Sequence, residues 1–412
     1  MPVALIWIVS LASLALMLAR PRGIPEYVWI CGGALLLVAG RLLTLREAAR
    51  AIFDGLDVYL FLTGMMLLAE LAREEGVFDW VADIAVHHAR GSSGRLFLWV
   101  YGAGVVVTAL LSNDATAVVM TPAVLAALRR AKVEPRPHLL ACALIANAAS
   151  FLLPISNPAN LVVFGRQLPP LGRWLAVFLL PSVVSIAATF LCLRTIYREP
   201  LRQRTAPVEV PYRLQPAGWL AVGAIAMAAV VLLVSSGLGI PLGAPTCAVG
   251  VAALALVAVR DRSAPKNAIC NVSWSVLPLV AGLFLIVKAL NRAGLMRLTR
   301  AGIAWAAAQP HHLGRFAGGF AVGLLSNLMN NLPAGLAAGT SLRQMGHHGP
   351  LAAALMLGVD LGPNLSVTGS LATILWLIAL RREDAEITGW SFLKAGAIVM
   401  PVALALALLA LP

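Results

Sequence analysis

Four short polar runs interrupt a chain that is otherwise strongly apolar, and they hold most of the groups able to do chemistry. The first is Ser112-Asn113-Asp114 with Thr116, and the second is Ser156, Asn157 and Asn160 set between Pro154 and Pro158. The third is Asn327, Asn330 and Asn331 before Pro333. The fourth runs from Asp360 through Gly362-Pro363 to Asn364, Ser366, Thr368, Ser370 and Thr373. Amides and hydroxyls both donate and accept hydrogen bonds, so this set suits a small polyhydroxylated solute or a small cation. It lacks the Arg or Lys that would grip a multiply charged anion, although helix N-termini partly replace them. Asp114 and Asp360 are its titratable members and the candidates for proton coupling. No nucleophile and base accompany the two aspartates, which argues against an intramembrane enzyme.

The surroundings of these runs are membrane-like. Hydrophobic residues make up 60% of the 412 positions and charged residues 12%, against roughly 25% charged in a soluble domain. At about 20 residues per span there is room for about ten to twelve passes. The first apolar stretch, from Val3 to Leu18, has no small-residue cleavage site and reads as a span rather than a leader. The net charge of +13 comes from Lys and Arg in short connections, which read as topology signals rather than a nucleic-acid surface. Cys31, Cys142, Cys192, Cys247 and Cys270 are scattered and read as small packing residues. His87-His88, His311-His312 and His347-His348 are adjacent pairs, which do not share a helix face. They read as interface or loop histidines, so no metal site is expected.

Apolar segments run over 3–20, 26–43, 57–73, 96–130, 138–166 and 172–196. After a polar linker at 197–214 they resume over 216–236, 242–260, 274–291, 314–344, 350–380 and 388–411. The linker falls near the midpoint and separates a first repeat, 1–196, from a second, 215–412. Gly64, Glu70 and Gly76 recur as Gly282, Lys288 and Gly294, each 218 positions on, and Asn113 recurs as Asn330 after 217. Weak internal symmetry of this kind marks inverted-repeat carriers. Glu70 and Lys288, at matched positions, are the other intramembrane charges and are expected to pair and fix the packing, with a role in coupling as the alternative.

Segments 96–130 and 314–344 are too long for one pass and are polar in the middle. A straight span would put Asp114 near the bilayer centre, at a cost of about 2.5–3.5 kcal/mol. A re-entrant hairpin that turns at the polar residues avoids this, provided its tip is buried in protein or lines a wet cavity. Prolines in 138–166 and 350–380 remove amide donors and predict helices that unwind there. The expected architecture is all-helical: about ten transmembrane helices, two of them broken, and two re-entrant hairpins. Amphipathic stretches near 77–90 and 293–308 should lie along the interface.

With the N-terminus outside, fourteen Arg and Lys of the first half fall on the cytoplasmic side, from Arg20 to Arg213. Five, Arg41, Arg46, Arg50, Arg166 and Arg173, fall outside. The second half is balanced. Both termini are then periplasmic and the linker cytoplasmic.

The stretches SNDATAVVMTPAVLAAL, LPISNPANLVVFG, MNNLPAGL and above all GVDLGPNLSVTGSLATILWL resemble the arsenite/antimonite efflux permeases, the ArsB family of the ion-transporter superfamily. The resemblance covers essentially the whole chain. It implies an inner-membrane antiporter that exports arsenite and antimonite in exchange for protons, with no cofactor beyond the proton gradient and an optional soluble ATPase subunit. It departs at two places. Typical members carry Asn-Asp-Asp where this chain has Asn113-Asp114-Ala115, and a basic residue where it has Asn364. Both departures bear on how protons are counted. Arsenous acid is neutral and bears three hydroxyls, so amide and hydroxyl ligands fit it, and no cysteine lies in the four breaks to offer thiolate capture. The alternative within the superfamily is a Na+/H+ antiporter or a sodium-coupled carboxylate carrier. The latter have Ser-Asn-Thr at both tips, where only Ser112-Asn113 stands here.

Overall fold

A computed structural model of the chain describes residues 2–206, 213–259, 263–346, 349–385 and 387–412. Part of the expected linker (207–212) and the His347-His348 pair lie outside them.

The long apolar runs form helices, as the period of their buried positions requires. The first half contains α1 (Pro2–Ala19), α2 (Glu26–Ala39), α3 (Leu45–Asp54), α4 (Leu56–Glu74) and α5 (Val77–Ala89). It continues with α6 (Ser93–Leu110), a π-helical turn (Ala115–Met120) leading into α7 (Thr121–Ala131), α8 (Arg136–Ala148), α9 (Pro158–Phe164) and α10 (Leu171–Ile196). The second half contains α11 (Pro216–Gly237), α12 (Gly243–Ala258), α13 (Ser263–Asn271), α14 (Val276–Arg292) and α15 (Leu295–Ala308). It ends with α16 (His311–Met329), α17 (Asn331–Met345), α18 (Pro350–Leu361), α19 (Leu371–Arg382) and α20 (Gly389–Leu409).

Each helix of the first half has its counterpart ten places later, and the packing repeats with the halves exchanged. Helix α4 lies on α12 as α14 lies on α2, and α6 lies on α8 as α16 lies on α18. Because α1 and α11 start on opposite sides, the second set runs inverted. Two faces result. The chain termini and the α9–α10 and α14–α15 connections share a terminal face; the α10–α11 linker lies on the other, the linker face.

Helices α1–α4 and α11–α14 form one body, and the remaining helices from α6 and α16 onward form a second. Helices α5 and α15 connect the two and occupy the expected amphipathic stretches. The short helices α3 and α13 were not foreseen. Helix α3 starts at a capping box in which Thr44 accepts from the Glu47 amide while Glu47 accepts from the Thr44 amide.

Both hairpins turn back. Helix α6 is 18 residues long and apolar enough to span, yet the Thr116 hydroxyl returns to the Thr108 hydroxyl at 2.8 Å and to the Gly104 carbonyl at 3.4 Å. The two ends of this hairpin dock on one strip of the linker segment. Thr205 donates to the Gly91 carbonyl and Ala206 to the Ala131 carbonyl. The described part of that segment is therefore a clamp on the hairpin base, not a loose tether. In the second hairpin α15 packs on both arms, and Thr299 meets Ser341 at 2.5 Å. Its turn is Asn330, at φ 75° and ψ 153°. Residues other than glycine reach that region only at a cost of roughly 1–3 kcal/mol.

The expected Glu70–Lys288 pair does not form. Glu70 accepts from Arg73 Nε and Nη2 at 2.8 and 2.6 Å, and Lys288 is exposed on α14. Inversion is the reason: positions matched by the repeat and far from the midplane lie near opposite faces.

Glycines bring the helices together, as small residues do in membrane packing. A Cβ on Gly64 of α4 would stand 2.2 Å from the Thr246 carbonyl oxygen of α12, whereas one on Gly102 would meet nothing within 4 Å. Gly64→Val should cost about 3 kcal/mol, the upper end for overpacking, and lower the melting temperature in detergent, while Gly102→Val should leave it unchanged. At the second hairpin tip, Asn330→Gly should keep the wild-type melting temperature and Asn330→Val should lose roughly 1–3 kcal/mol, read by the same thermal unfolding.

Candidate functional site

The four interruptions converge. A cavity of about 20 Å³ is lined by Asn113 and Asp114 from the first hairpin tip and by Asn157 and Pro158 at the start of α9. Asn331 and Leu332 at the second tip and Ser370 and Leu371 at the start of α19 complete it. Leu62 of α4 and Val276 and Val280 of α14 close it from the first body. That volume holds about one water.

Each element starts where its sequence dictates. Asn157 precedes Pro158, which fits the first turn of a helix because the missing amide is unpaired there anyway. Its Oδ1 accepts from the Ala159 amide at 2.9 Å. Ser370 caps α19 the same way, accepting from the Ala372 amide at 3.2 Å, and Asn330 caps α17 through the Leu332 amide at 3.3 Å. The cavity therefore faces the N-terminal ends of α17 and α19, whose dipoles are positive there, with Asp114 as its single acidic side chain. Neutral amides, a hydroxyl and backbone N–H groups around one carboxylate can hold a neutral, oxygen-rich solute and exchange a proton with it or beside it.

Of the candidate residues, Asn113, Asp114, Asn157, Asn331 and Ser370 line the cavity. The others stand behind it. Thr116 is bonded inside the first hairpin, and Ser156 donates to the Ala109 carbonyl at 3.2 Å. Asn160 Nδ2 donates to the carbonyls of Ser150, Leu153 and Pro154. Asn327, Ser366 and Thr368 form a closed set that ties α16 to the second break. Asn327 Oδ1 accepts from the Ser366 amide and hydroxyl at 3.1 and 2.6 Å, and Thr368 donates to the Asn327 carbonyl at 3.0 Å. Thr373 donates to the Val367 and Ser370 carbonyls.

Asp360 also stands behind the cavity, fully buried, and accepts from Asn157 Nδ2 at 2.8 Å. Asn157 thus touches the cavity on one side and Asp360 on the other. Asn364 accepts from Asn147 Nδ2 at 3.0 Å and donates to the Leu144 carbonyl. Asn147 and Ser150 were missed by the sequence reading.

A second, larger cavity of about 860 Å³ opens on the terminal face between α3 and α4 of the first body and α9 and α17 of the second. Lys288, Arg292 and Arg343 line it opposite Glu47, Asp54 and Asp57. Glu47 accepts from Arg292 at 3.0 Å, and the Thr44 backbone and hydroxyl, then Arg292, hold its carboxyl below the usual range. Arg343 donates to the Val163 carbonyl at 2.5 Å and so covers the C-terminal end of α9. The hydrogen bonds and ion pairs named for α4 and α14 stay within the first body; at the small cavity these helices present apolar side chains, Leu62, Val276 and Val280.

The profile of the citrate-transporter family (CitMHS) matches residues 4–359. The arsenical pump membrane protein of Escherichia coli (strain K12) is 30% identical over 362 residues, covering 82% of each chain. Its namesake from Yersinia enterocolitica is 28% identical over 359 residues, again 82% of each. An uncharacterized transporter of Mycobacterium tuberculosis (strain ATCC 25618 / H37Rv) is 26% identical over 85% of this chain and 84% of its own. Among solved structures, the YdaH transporter of Alcanivorax borkumensis superposes with a TM-score of 0.58 at 16% identity, over 93% of this chain and 96% of that one. That crystal structure is described as having an unusual topology, and the likeness is one of fold. With hairpins, broken helices and matching relatives all in place, the chain belongs to the citrate-transporter family of multi-pass membrane transporters and to the family of the arsenical pump membrane proteins.

Proposed function

We propose that this transporter exports arsenite and antimonite from the cytoplasm in exchange for protons and so confers arsenic resistance. The observation that carries the reading is the cavity itself: amides, a hydroxyl and helix N-termini around a single carboxylate, with no Lys or Arg in its lining. Such a lining matches a small neutral hydroxy-acid and leaves one group, Asp114, to take and release the proton. Asn113, Asn157, Asn331 and Ser370 bind the solute directly. Thr116, Ser156, Asn160, Asn327, Asn330, Asn364, Ser366 and Thr368 hold those groups in place. The names of the relatives support the substrate class.

The chain works as two repeats, 1–196 and 215–412, about a cytoplasmic linker at 197–214. With the termini periplasmic, the 860 Å³ cavity faces outward and the linker face holds the basic residues of the first half. The apolar wall of Leu62, Val276 and Val280 lets the body bearing the site move past α4 and α14 and expose the solute to either side. A soluble ATPase subunit is an optional partner on the linker face; the proton gradient is the energy source.

A carboxylate substrate is the second reading, favoured by the description of the family profile. A tricarboxylate would need cationic side chains at the binding groups, and growth on arsenite against growth on citrate or high sodium separates the two.

Everted membrane vesicles test the main reading. Uptake of arsenite should require the proton gradient and fall at least tenfold in Asp114→Asn, whose protein level matches wild type. Unchanged uptake in that variant removes Asp114 from the mechanism. A variant with all five cysteines replaced by serine should keep wild-type uptake, because Cys142 is buried in α8 and no cysteine lines the small cavity. Loss of export there would restore thiolate ligation.

A further inference from the structure

Behind the solute cavity lies a group of buried oxygens whose neighbouring amide nitrogens already donate elsewhere. Asn160 Nδ2 bonds three carbonyls, Asn147 Nδ2 bonds Asn364 and Asn157 Nδ2 bonds Asp360. These bonds fix which way each amide points and leave three buried oxygens, Asp360 Oδ2, Asn160 Oδ1 and Asn147 Oδ1, without a hydrogen-bond donor. All three residues are fully buried, as is Ser150. Ser150 joins them, since its hydroxyl donates to the Asn147 carbonyl at 2.8 Å, its own carbonyl accepts from Asn160 at 3.0 Å and its side chain lies beside the Asp360 carboxylate. None of the ion pairs among the described residues involves Asp360.

An acceptor surplus around one buried carboxylate is the donor set of a hard cation, which takes carboxylate, carbonyl and hydroxyl oxygens. One formal charge among neutral ligands balances a monovalent ion, whereas divalent sites in proteins gather more than one carboxylate. We propose that Asp360, Asn160, Asn147 and Ser150 form a site for one small monovalent cation, Na+ by this chemistry, separate from Asp114 and from the solute. The site communicates with the solute cavity through Asn157, which bonds Asp360 with its Nδ2 and caps α9 with its Oδ1. Filling the site draws charge away from the Asp360–Asn157 bond and shifts the start of α9, one wall of the solute cavity. This goes beyond the export reading and does not depend on which solute is carried.

Hydrogen exchange on the purified full chain in nanodiscs tests it without substrate. At fixed pH and ionic strength, NaCl in place of choline chloride should slow exchange in peptides spanning 144–161 and 356–366. The slowing should be about tenfold when Na+ is ten times its dissociation constant, with the first hairpin tip, 111–116, unaffected. The Na+ effect should vanish in Asp360→Asn and persist in Asp114→Asn. No Na+-dependent protection in wild type overturns the proposal, and that comparison stands even where Asp360→Asn fails to fold. Protection that follows pH alone, or that survives in a folded Asp360→Asn, overturns it as well.

Discussion

The structure depends on one constraint: inside a bilayer, backbone N–H and C=O groups have no water to bond, so every break in a helix must be satisfied by protein. Four breaks meet here, and side chains satisfy them. Asn160 covers three carbonyls left open by the first break, and Asn327 Nδ2 covers the Gly362 carbonyl at the second. Each such group left unpaired would cost about 1–3 kcal/mol. Most of the Asn, Ser and Thr residues in the polar runs are therefore the reason the breaks can exist. A smaller set, freed by that work, faces the cavity. The polar runs mark the site, but only some of their members face the cavity.

Pseudo-symmetry and its failure at one position define the chemistry. Asp114 and Asn331 occupy equivalent positions, one residue past Asn113 and Asn330, and both line the same cavity. A symmetric pair of carboxylates lining so small a cavity would repel one another, and a symmetric pair of asparagines would have nothing to titrate. One acid facing one amide avoids both. The capping groups, by contrast, stay matched in role although their types differ: Asn157 for α9 and Ser370 for α19. The geometry is shared by the halves, and the charge is not.

The hairpins, the broken helices and the inversion were legible in the sequence because each leaves a compositional trace: Pro and Asn inside apolar runs, and a repeat offset that recurs. The convergence of Asn113, Asp114, Asn157, Asn331 and Ser370 followed from it. Other features were not legible, for physical reasons. Helices α3 and α13 are short and amphipathic and merge in a hydropathy profile with the spans they precede. The closed set of Asn327, Ser366 and Thr368 looked like ligands because residue type does not reveal whether an amide's bonds are already taken. Ser150 gave no signal at all, being one hydroxyl in an apolar run.

The pair matched by the repeat, Glu70 with Lys288, shows what an inverted duplication cannot bring together, and the Asn147–Asn364 bond shows where the halves do meet. A pseudo-twofold axis in the membrane plane carries a residue near one face to its counterpart near the other, so opposite charges at equivalent positions part company. Glu70 accordingly turns to Arg73, one turn away on its own helix, while Lys288 faces the larger cavity on the terminal face. Residues of the two halves do meet where the broken helices cross, as Asn147 and Asn364 do at 3.0 Å. That bond joins the end of α8 to the second break, with Asp360 one helical turn before Asn364 and Ser150 three residues after Asn147. The polar core is centred where the two halves must touch, and that is why a perturbation of Asp360 can reach both broken helices at once.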